Sequence, residues 1–62
     1  MFLSRLVQEK IDLDLKLSKI LKFKNTDLFK TLSDYEKNLL ISQSIIMKQY
    51  SDTLKLRIEL YK

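Results

Sequence analysis

The chain has 62 residues, a formal net charge of +4 and no cysteine, histidine, glycine or proline. A chain this short forms at most one domain, residues 1–62, and buries only about 60% of the surface that its unfolded form exposes. Without cysteine or histidine it has no disulfides and lacks the usual zinc and iron ligands, so self-association remains as the way to enlarge its core.

The first predicted element is a helix over residues 3–24. Lys22 and Lys24 lie in its last turn, where cations favour a helix C-terminus. A run of turn-forming residues at 25–27 then predicts a joint over residues 25–33, which has room for one helical turn capped by Thr26 or Asp27. The apolar face of this helix is formed by Leu3, Leu6, Val7, Leu13, Leu17, Ile20 and Leu21.

The second predicted helix covers residues 34–61. Ser33 and Glu36 form a capping box, in which the Ser33 hydroxyl accepts from the N–H of Glu36 and the carboxylate reaches back to the N–H of Ser33. Two helices and one joint predict an all-α fold, an antiparallel two-helix hairpin that assembles into a homo-oligomeric helical bundle.

An alternative with strands stays open at this stage. Apolar and polar residues alternate perfectly from Ile11 to Ser18 and from Leu54 to Leu60, which is typical of strands. Leucine, lysine, aspartate and glutamate are nevertheless poor strand formers, and a two-stranded sheet is marginally stable alone. The helical interpretation is therefore preferred.

On helices, the same alternation produces a second apolar stripe outside the main face. Ile11 and Leu15 form it on the first helix, and Ile41, Ile45 and Leu56 form it on the second. A helix that is apolar on more than one side is normally buried on more than one side. Because a hairpin covers only one stripe of each helix, we expect another copy of the chain to cover the second.

Four polar residues on the second helix recur at a spacing of seven: Glu36, Gln43, Tyr50 and Arg57, called the seam from here on. Seven residues are almost two helical turns, so the four side chains form one nearly straight line. The pattern predicts that this line runs through the middle of an apolar face, where polar groups need partners. That face is formed by Leu39, Leu40, Ile46, Met47, Leu54 and Ile58.

An antiparallel hairpin with this joint pairs positions whose numbers sum to roughly 57. Asp14 then lies beside Gln43, and Lys10 lies beside Met47 and Tyr50. One interpretation is an internal network in which Lys10 binds Asp14, Asp14 binds the Gln43 amide and the Tyr50 hydroxyl closes the set.

The second interpretation is a ligand pocket at a subunit interface, lined by Lys10, Gln43, Tyr50 and Arg57. Arginine offers two parallel donors to phosphate, tyrosine offers a stacking face and glutamine an amide that can read the edge of a base. The sequence leaves both interpretations open.

Lysines also concentrate near the joint, around Phe23 and Phe29. Cations mixed with aromatic residues are a weak signature of nucleic-acid binding, so a nucleic-acid partner is conceivable but not favoured over solubility and packing. The lysines are Lys16, Lys19, Lys22, Lys24 and Lys30.

The sequence shows no Gly-rich phosphate loop, nucleophile–base pair or metal motif. We therefore expect no enzyme activity and no cofactor. No apolar run approaches the 18 or so residues of a membrane span, and charges interrupt any signal-like start. We accordingly expect no membrane partner and a cytoplasmic location.

Residue types along nearly the whole chain resemble small helical-hairpin proteins of tailed phages, including crAss-like phages and their relatives. Phe23 and Phe29 fit the aromatic residues around the joint of those proteins. The amino-terminal match is Arg5, Leu6, Val7, Glu9, Lys10 and Leu13. The match in the second helix is Leu32, Ser33, Glu36, Leu39, Leu40, Gln43, Met47, Tyr50, Leu54, Arg57 and Ile58.

More remotely, an aromatic residue followed by Leu32, Ser33 and Glu36 is similar to the hairpin domain of phage sponges such as anti-CBASS and anti-Thoeris proteins. That resemblance implies an oligomeric sponge that binds an anionic, cyclic nucleotide signal of host immunity without hydrolysing it, in the host cytoplasm. The alternative is a homo-oligomeric coiled-coil protein that binds and modulates a host protein or nucleic acid.

Overall fold

The structure is a computed structural model that describes residues 2–61. It contains three helices: α1 (Phe2–Phe23), α2 (Asp27–Lys30) and α3 (Asp34–Glu59). The described residues include no strand, so the all-α prediction is confirmed and the strand alternative is wrong. Both alternating segments lie within helices except for Leu60, the C-cap of α3, and leucine, lysine and glutamate are favoured in helices. The predicted bounds of the long helices differ from the observed ones by two residues at most.

Local capping sets where the two later helices begin. The N–H of Phe29 donates to the Thr26 hydroxyl oxygen at 3.3 Å, which caps α2. The N–H of Glu36 donates to the Ser33 hydroxyl oxygen at 3.2 Å, as predicted, and caps α3. The Ser33 hydroxyl itself donates to the Glu36 carboxylate at 3.3 Å. This contact stands where the sequence predicted a bond from the N–H of Ser33.

The two long helices pack antiparallel, with the start of α1 against the end of α3. The rings of Phe2 and Tyr61 meet edge to face with centroids 5.2 Å apart, and Lys10 bonds to Ser51. These pairs sum to 61–63, so the predicted sum of 57 is wrong by about one helical turn.

The physical reason for the shifted register is α2. Phe29 of α2 packs edge to face against Phe23 with centroids 6.0 Å apart, and the Lys37 ammonium lies 5.9 Å from the centre of the Phe29 ring. The first turn of α3 is therefore beside α2, beyond the end of α1, and α3 is displaced along α1.

The core lies between α1 and α3 and is small. Leu54 is fully buried at its centre. Ser44 and Ser51 are also buried on α3, at 5% and 4% exposure, and their small side chains let the two helices approach closely. The surrounding cluster consists of Leu6, Leu13, Leu54 and Ile58, with Leu3 and Met47 packed against it.

The hairpin is elongated, with dimensions of 44 × 15 × 13 Å and a radius of gyration of 14.3 Å. A compact domain of this length has a radius of gyration of about 11 Å. Its accessible surface is 5000 Å², against about 4,200 Å² for a compact protein of this mass. Large apolar side chains are exposed on this surface, and they include four members of the predicted second stripes: Ile11, Leu15, Ile45 and Leu56.

Candidate functional site

A triangle of polar groups joins α1 to α3 along one edge of the hairpin, with Ser51 buried and Lys10 and Asp14 partly exposed. The Lys10 ammonium donates to the Asp14 carboxylate at 2.7 Å and to the Ser51 hydroxyl oxygen at 3.0 Å. The Ser51 hydroxyl donates in turn to the second carboxylate oxygen of Asp14. The hydrogen bond from Lys10, with that from Ser51, holds the pKa of Asp14 below its usual value. Every member of this triangle therefore has its partner.

This triangle corrects the predicted internal network. The bond between Lys10 and Asp14 is confirmed, but Ser51 occupies the place given to Gln43 and Tyr50. The Gln43 amide instead contacts the Met47 sulfur at 3.8 Å, four residues further along the same helix. The reason is the rotation of α3 about its axis. The residues that face α1, such as Ser44 and Ser51, each follow a seam residue by one position.

One side of the hairpin carries an open channel, called the groove from here on. Its volume is about 430 Å³ and it runs past the triangle. It is lined by Lys10, Asp14, Leu17, Ser18, Leu21, Lys48, Ser51, Asp52 and Lys55. Three ammonium groups therefore face two carboxylates, so the groove has an excess of positive charge.

The lysines of the groove differ in their partners. The Lys48 ammonium donates to Asp52 at 2.7 Å, and that hydrogen bond raises the pKa of Lys48. Among residues 2–61, Lys55 forms no ion pair with a carboxylate. It lies between the groove and a neighbouring depression that it shares with Val7 and Glu59. Lys55 is thus the cation of the groove that can take up an anion without first losing a partner.

An apolar recess adjoins the groove on the side nearer the joint. It has a volume of about 360 Å³ and is lined by Leu17, Leu21, Ser44, Ile45, Lys48 and Gln49. The Ser44 hydroxyl is already bonded to the carbonyl of Ile41 at 2.7 Å. Gln49 therefore supplies the amide at the edge of an otherwise aliphatic surface.

The seam lies on the other side of the hairpin. One residue turns a helix by about 100°, so Tyr50 and Asp52 point to opposite sides of Ser51. Asp52 lines the groove, and Tyr50, at 42% exposure, therefore faces away from it. Arg57 lies on the Tyr50 side, with its guanidinium 6.0 Å from the centre of the Phe2 ring.

The four predicted ligand residues are thus divided between two sides of one hairpin. Lys10 faces the groove, whereas Gln43, Tyr50 and Arg57 are exposed along the seam. Leu39 and Ile46, which were expected to be buried beside the seam, are exposed as well. A single site containing all four residues consequently needs two copies of the chain.

Sequence reasoning missed the residues that line the groove on α3. Ser44 and Ser51 also recur at a spacing of seven, one residue after Gln43 and Tyr50, and this signal was available. Small hydroxyl residues at that spacing are compatible with a close helix–helix contact, whereas glutamine, tyrosine and arginine readily keep their polar ends in water.

The joint end of the hairpin is the more basic end. Among the described residues, Lys16, Lys19, Lys22 and Lys24 form no ion pair, and no acidic residue lies between Asp14 and Asp27. Lys30 does have a partner, Asp27, at 3.7 Å. Phe23 and Phe29 contact each other rather than offering two free stacking faces.

Two further observations concern the described part of the chain. No cluster of three or more histidine, cysteine, aspartate or glutamate side chains is placed to hold a metal ion within residues 2–61. None of the helices in that range combines the length and the apolar character required to cross a membrane.

Comparison with known proteins places the chain among phage-related sequences. The family model described as Sequestin matches residues 1–60. The chain is also similar to the "Uncharacterized 7.5 kDa protein in denB-rIIB intergenic region" of Enterobacteria phage T4, with 39% identity over 59 residues, 95% of this chain and 92% of that protein. No solved structure matches. Because the family model covers nearly the whole chain, this protein belongs to the Sequestin family.

Proposed function

We propose that this chain is a phage-encoded anti-defence protein, an oligomeric sponge that binds and sequesters an anionic cyclic nucleotide signal of host immunity in the host cytoplasm. The observation that carries the proposal is the match to Sequestin over residues 1–60, because the family's name denotes sequestration. The similarity to a small T4 protein supports a phage origin.

The chemistry of the chain favours binding over catalysis. It has no histidine and no cysteine, so the commonest general base and thiol nucleophile are absent from the sequence. Lysine ammonium groups and apolar recesses can hold an anion with a flat ring but offer no hydrolytic group. A protein that acts this way binds its ligand in a fixed ratio, and the ligand is released chemically unchanged when the protein is denatured.

The oligomeric part of the proposal rests on the exposed apolar stripes. Leu56→Lys places a charge in a stripe that we expect a second copy to cover, and it should shift the protein toward a monomer in analytical ultracentrifugation. Thr53→Lys adds the same charge at an exposed polar position nearby and serves as the control. A folded, monomeric parent protein at micromolar concentration would exclude the oligomer.

The seam residues enter the proposal as the second wall of a site between copies. Lys10 of one copy can meet Gln43, Tyr50 and Arg57 of another only if the groove side of one hairpin packs on the seam side of the next. Such a contact is heterologous, so it builds a ring or a filament. Arg57→Met should then lower binding of the nucleotide while leaving the oligomer intact, and Tyr50→Phe should lower it less because the stacking face remains.

The decisive experiment is native mass spectrometry of the assembly with a panel of cyclic mono- and dinucleotides. We expect a mass increase equal to one intact nucleotide per site, and recovery of the unchanged nucleotide after the protein is denatured. Material absorbing at 260 nm that co-purifies and is released on denaturation would point the same way. Failure of every nucleotide to bind, or recovery of a hydrolysed product, would refute the proposal.

The alternative function is a coiled-coil interaction protein that binds and modulates a host protein or nucleic acid. The basic joint end favours it, since lysines without carboxylate partners attract phosphates at long range. A gel shift with duplex DNA that weakens steeply as salt rises would support a nucleic-acid partner. If duplex DNA showed no gel shift at low salt and the protein bound a cyclic nucleotide, the sponge function would be supported over this alternative.

A further inference from the structure

We infer that the groove and its apolar recess bind the nucleotide, with the phosphate held by Lys55 and Lys48 and the base held against Leu17, Leu21 and Ile45. This inference rests on the proposed function and deepens it by assigning a site that the seam does not include. All of its residues come from one hairpin, and in the assembly proposed above the next copy would close over this site rather than supply these residues.

The charges of the groove suit a phosphate. Lys10 is committed to Asp14 and Ser51, and its side chain is 26% exposed, so it contributes mainly its field. Lys48 is paired with Asp52, but both groups are exposed, and exposed ion pairs contribute little to stability. Lys48 can therefore turn from the carboxylate to a phosphate at small cost.

Lys55 is the principal phosphate ligand in this arrangement. It has no ion-pair partner among residues 2–61, and it lines both the groove and the depression beyond it. Glu59 lies in that depression, further from the recess. Asp52 lies on α3 between Lys48 and Lys55, so the phosphate must bridge the two ammonium groups on the solvent side of that carboxylate.

The recess suits a flat heterocyclic base. Its walls are aliphatic, its volume of about 360 Å³ falls in the range of small-molecule sites, and its polar rim is formed by Gln49. Within the described chain the Gln49 amide has no hydrogen-bond partner, so it can donate to and accept from the edge of a base.

The two parts of the site are continuous. Lys48 lines both the recess and the groove, and so do Leu17 and Leu21. Ile45 and Lys55 are separated by ten residues of α3, which is about 15 Å along a helix. A cyclic mononucleotide is shorter than this, so its base can lie in the recess with its phosphate beside Lys48, while the flexible Lys55 side chain extends toward the phosphate from its own position.

The test compares two variants that change the net charge equally. Lys55→Glu reverses a charge in the groove, and Lys19→Glu reverses one on α1 outside it. With cyclic AMP as the probe and isothermal titration as the measurement, we expect Lys55→Glu to weaken binding about tenfold or more, because charged hydrogen bonds are strong. Lys19→Glu should weaken it less than about threefold, through long-range charge alone.

A second pair of variants tests the recess. Leu21→Ala removes an exposed part of its wall, and Leu28→Ala removes an exposed leucine of α2 that lines neither the recess nor the groove. Adenosine, which lacks a phosphate, should bind more weakly to the first variant only. Inorganic phosphate should bind alike to both, because the lysines are unchanged.

Amide chemical-shift mapping with cyclic AMP on the parent protein keeps the inference testable if a variant fails to fold. We expect the largest shifts at residues 17–21, 45–49 and 55. Chemical shifts confined to the seam, or equal losses of cyclic AMP affinity in Lys55→Glu and Lys19→Glu, would refute the groove as the binding site. The proposed sponge function would be unaffected. Binding of no nucleotide at all would overturn both proposals.

Discussion

Two lines of residues run along α3 at the same spacing of seven, and only one of them faces α1. The inner line contains Ser44, Ser51 and Ile58, which are buried. Gln43, Tyr50 and Arg57 of the seam each lie one residue before a member of the inner line, and all four seam residues are exposed. A shift of one residue turns a helix by about 100°, so equal spacing does not identify the buried line.

The difference between the lines lies in the partners that each side chain needs. Ser51 is small enough for a close contact and bonds to both members of the Lys10–Asp14 pair. Tyr50 and Arg57 are long and amphipathic, so they can lie along the surface with their polar ends in water. The inner line is thus determined by fit against α1, and the seam stays free for partners outside the hairpin.

The largest expected effect comes from placing a leucine at each of two neighbouring positions in turn, Ser51 on the inner line and Tyr50 on the seam. Ser51→Leu forces a large side chain between the helices and removes the bonds to Lys10 and Asp14, so it should destabilise the protein by about 1–3 kcal/mol. Tyr50→Leu should change the stability by less than about 0.5 kcal/mol.

Urea unfolding followed by circular dichroism, at one fixed protein concentration, measures both changes. If Tyr50→Leu lowered the free energy of unfolding more than Ser51→Leu does, the seam and not the inner line would face α1. A large loss for Tyr50→Leu that disappears at high protein concentration would instead locate the seam in an interface between copies.

A smaller loss of stability is expected when the cap of α3 is removed. Glu36, the first residue of the seam, takes part in this cap through its N–H. Ser33→Ala removes the hydroxyl that accepts from the N–H of Glu36 and should cost about 1 kcal/mol. The melting temperature should fall by about 4–8 °C. Ser42→Ala, at an exposed position inside α3, is the control. An unchanged melting temperature for Ser33→Ala would show that α3 does not begin at this cap.

The smallest expected effect is the acid sensitivity of the contact that Ser51 of the inner line makes with Asp14 of α1. Because folding lowers the pKa of Asp14, its ionised form stabilises the protein above about pH 4, and that contribution is lost as pH falls through the lowered value. The Asp14 side chain is 46% exposed, so the loss should not exceed about 1 kcal/mol.

Unfolding curves between pH 2 and pH 6 for the parent and Asp14→Asn measure this contribution. The variant should lose less stability than the parent over that range, since it has no carboxylate to protonate at this position. Parallel curves would mean that the pKa of Asp14 is the same in the folded and unfolded protein.

Much of the local structure follows from the sequence. Apolar spacing predicted both long helices to within two residues, Ser33 was correctly identified as a cap, and Thr26 is one of the two caps that the sequence left open for α2. These features depend on contacts within about four residues, so the sequence contains everything that they need. The Lys10–Asp14 pair was predicted for the same reason, since its members are four residues apart.

The rotation and register of α3 were decided by the tertiary structure. Apolar residues occur on several sides of α3, so no single stripe specifies which side faces α1, and Leu39 and Ile46 were wrongly expected to be buried. The register depends on how far α2 displaces the start of α3, through Phe29 and its contacts with Phe23 and Lys37. Local periodicity determined the helices, whereas the groove arises from long-range packing, in which the best fit among several apolar stripes prevails.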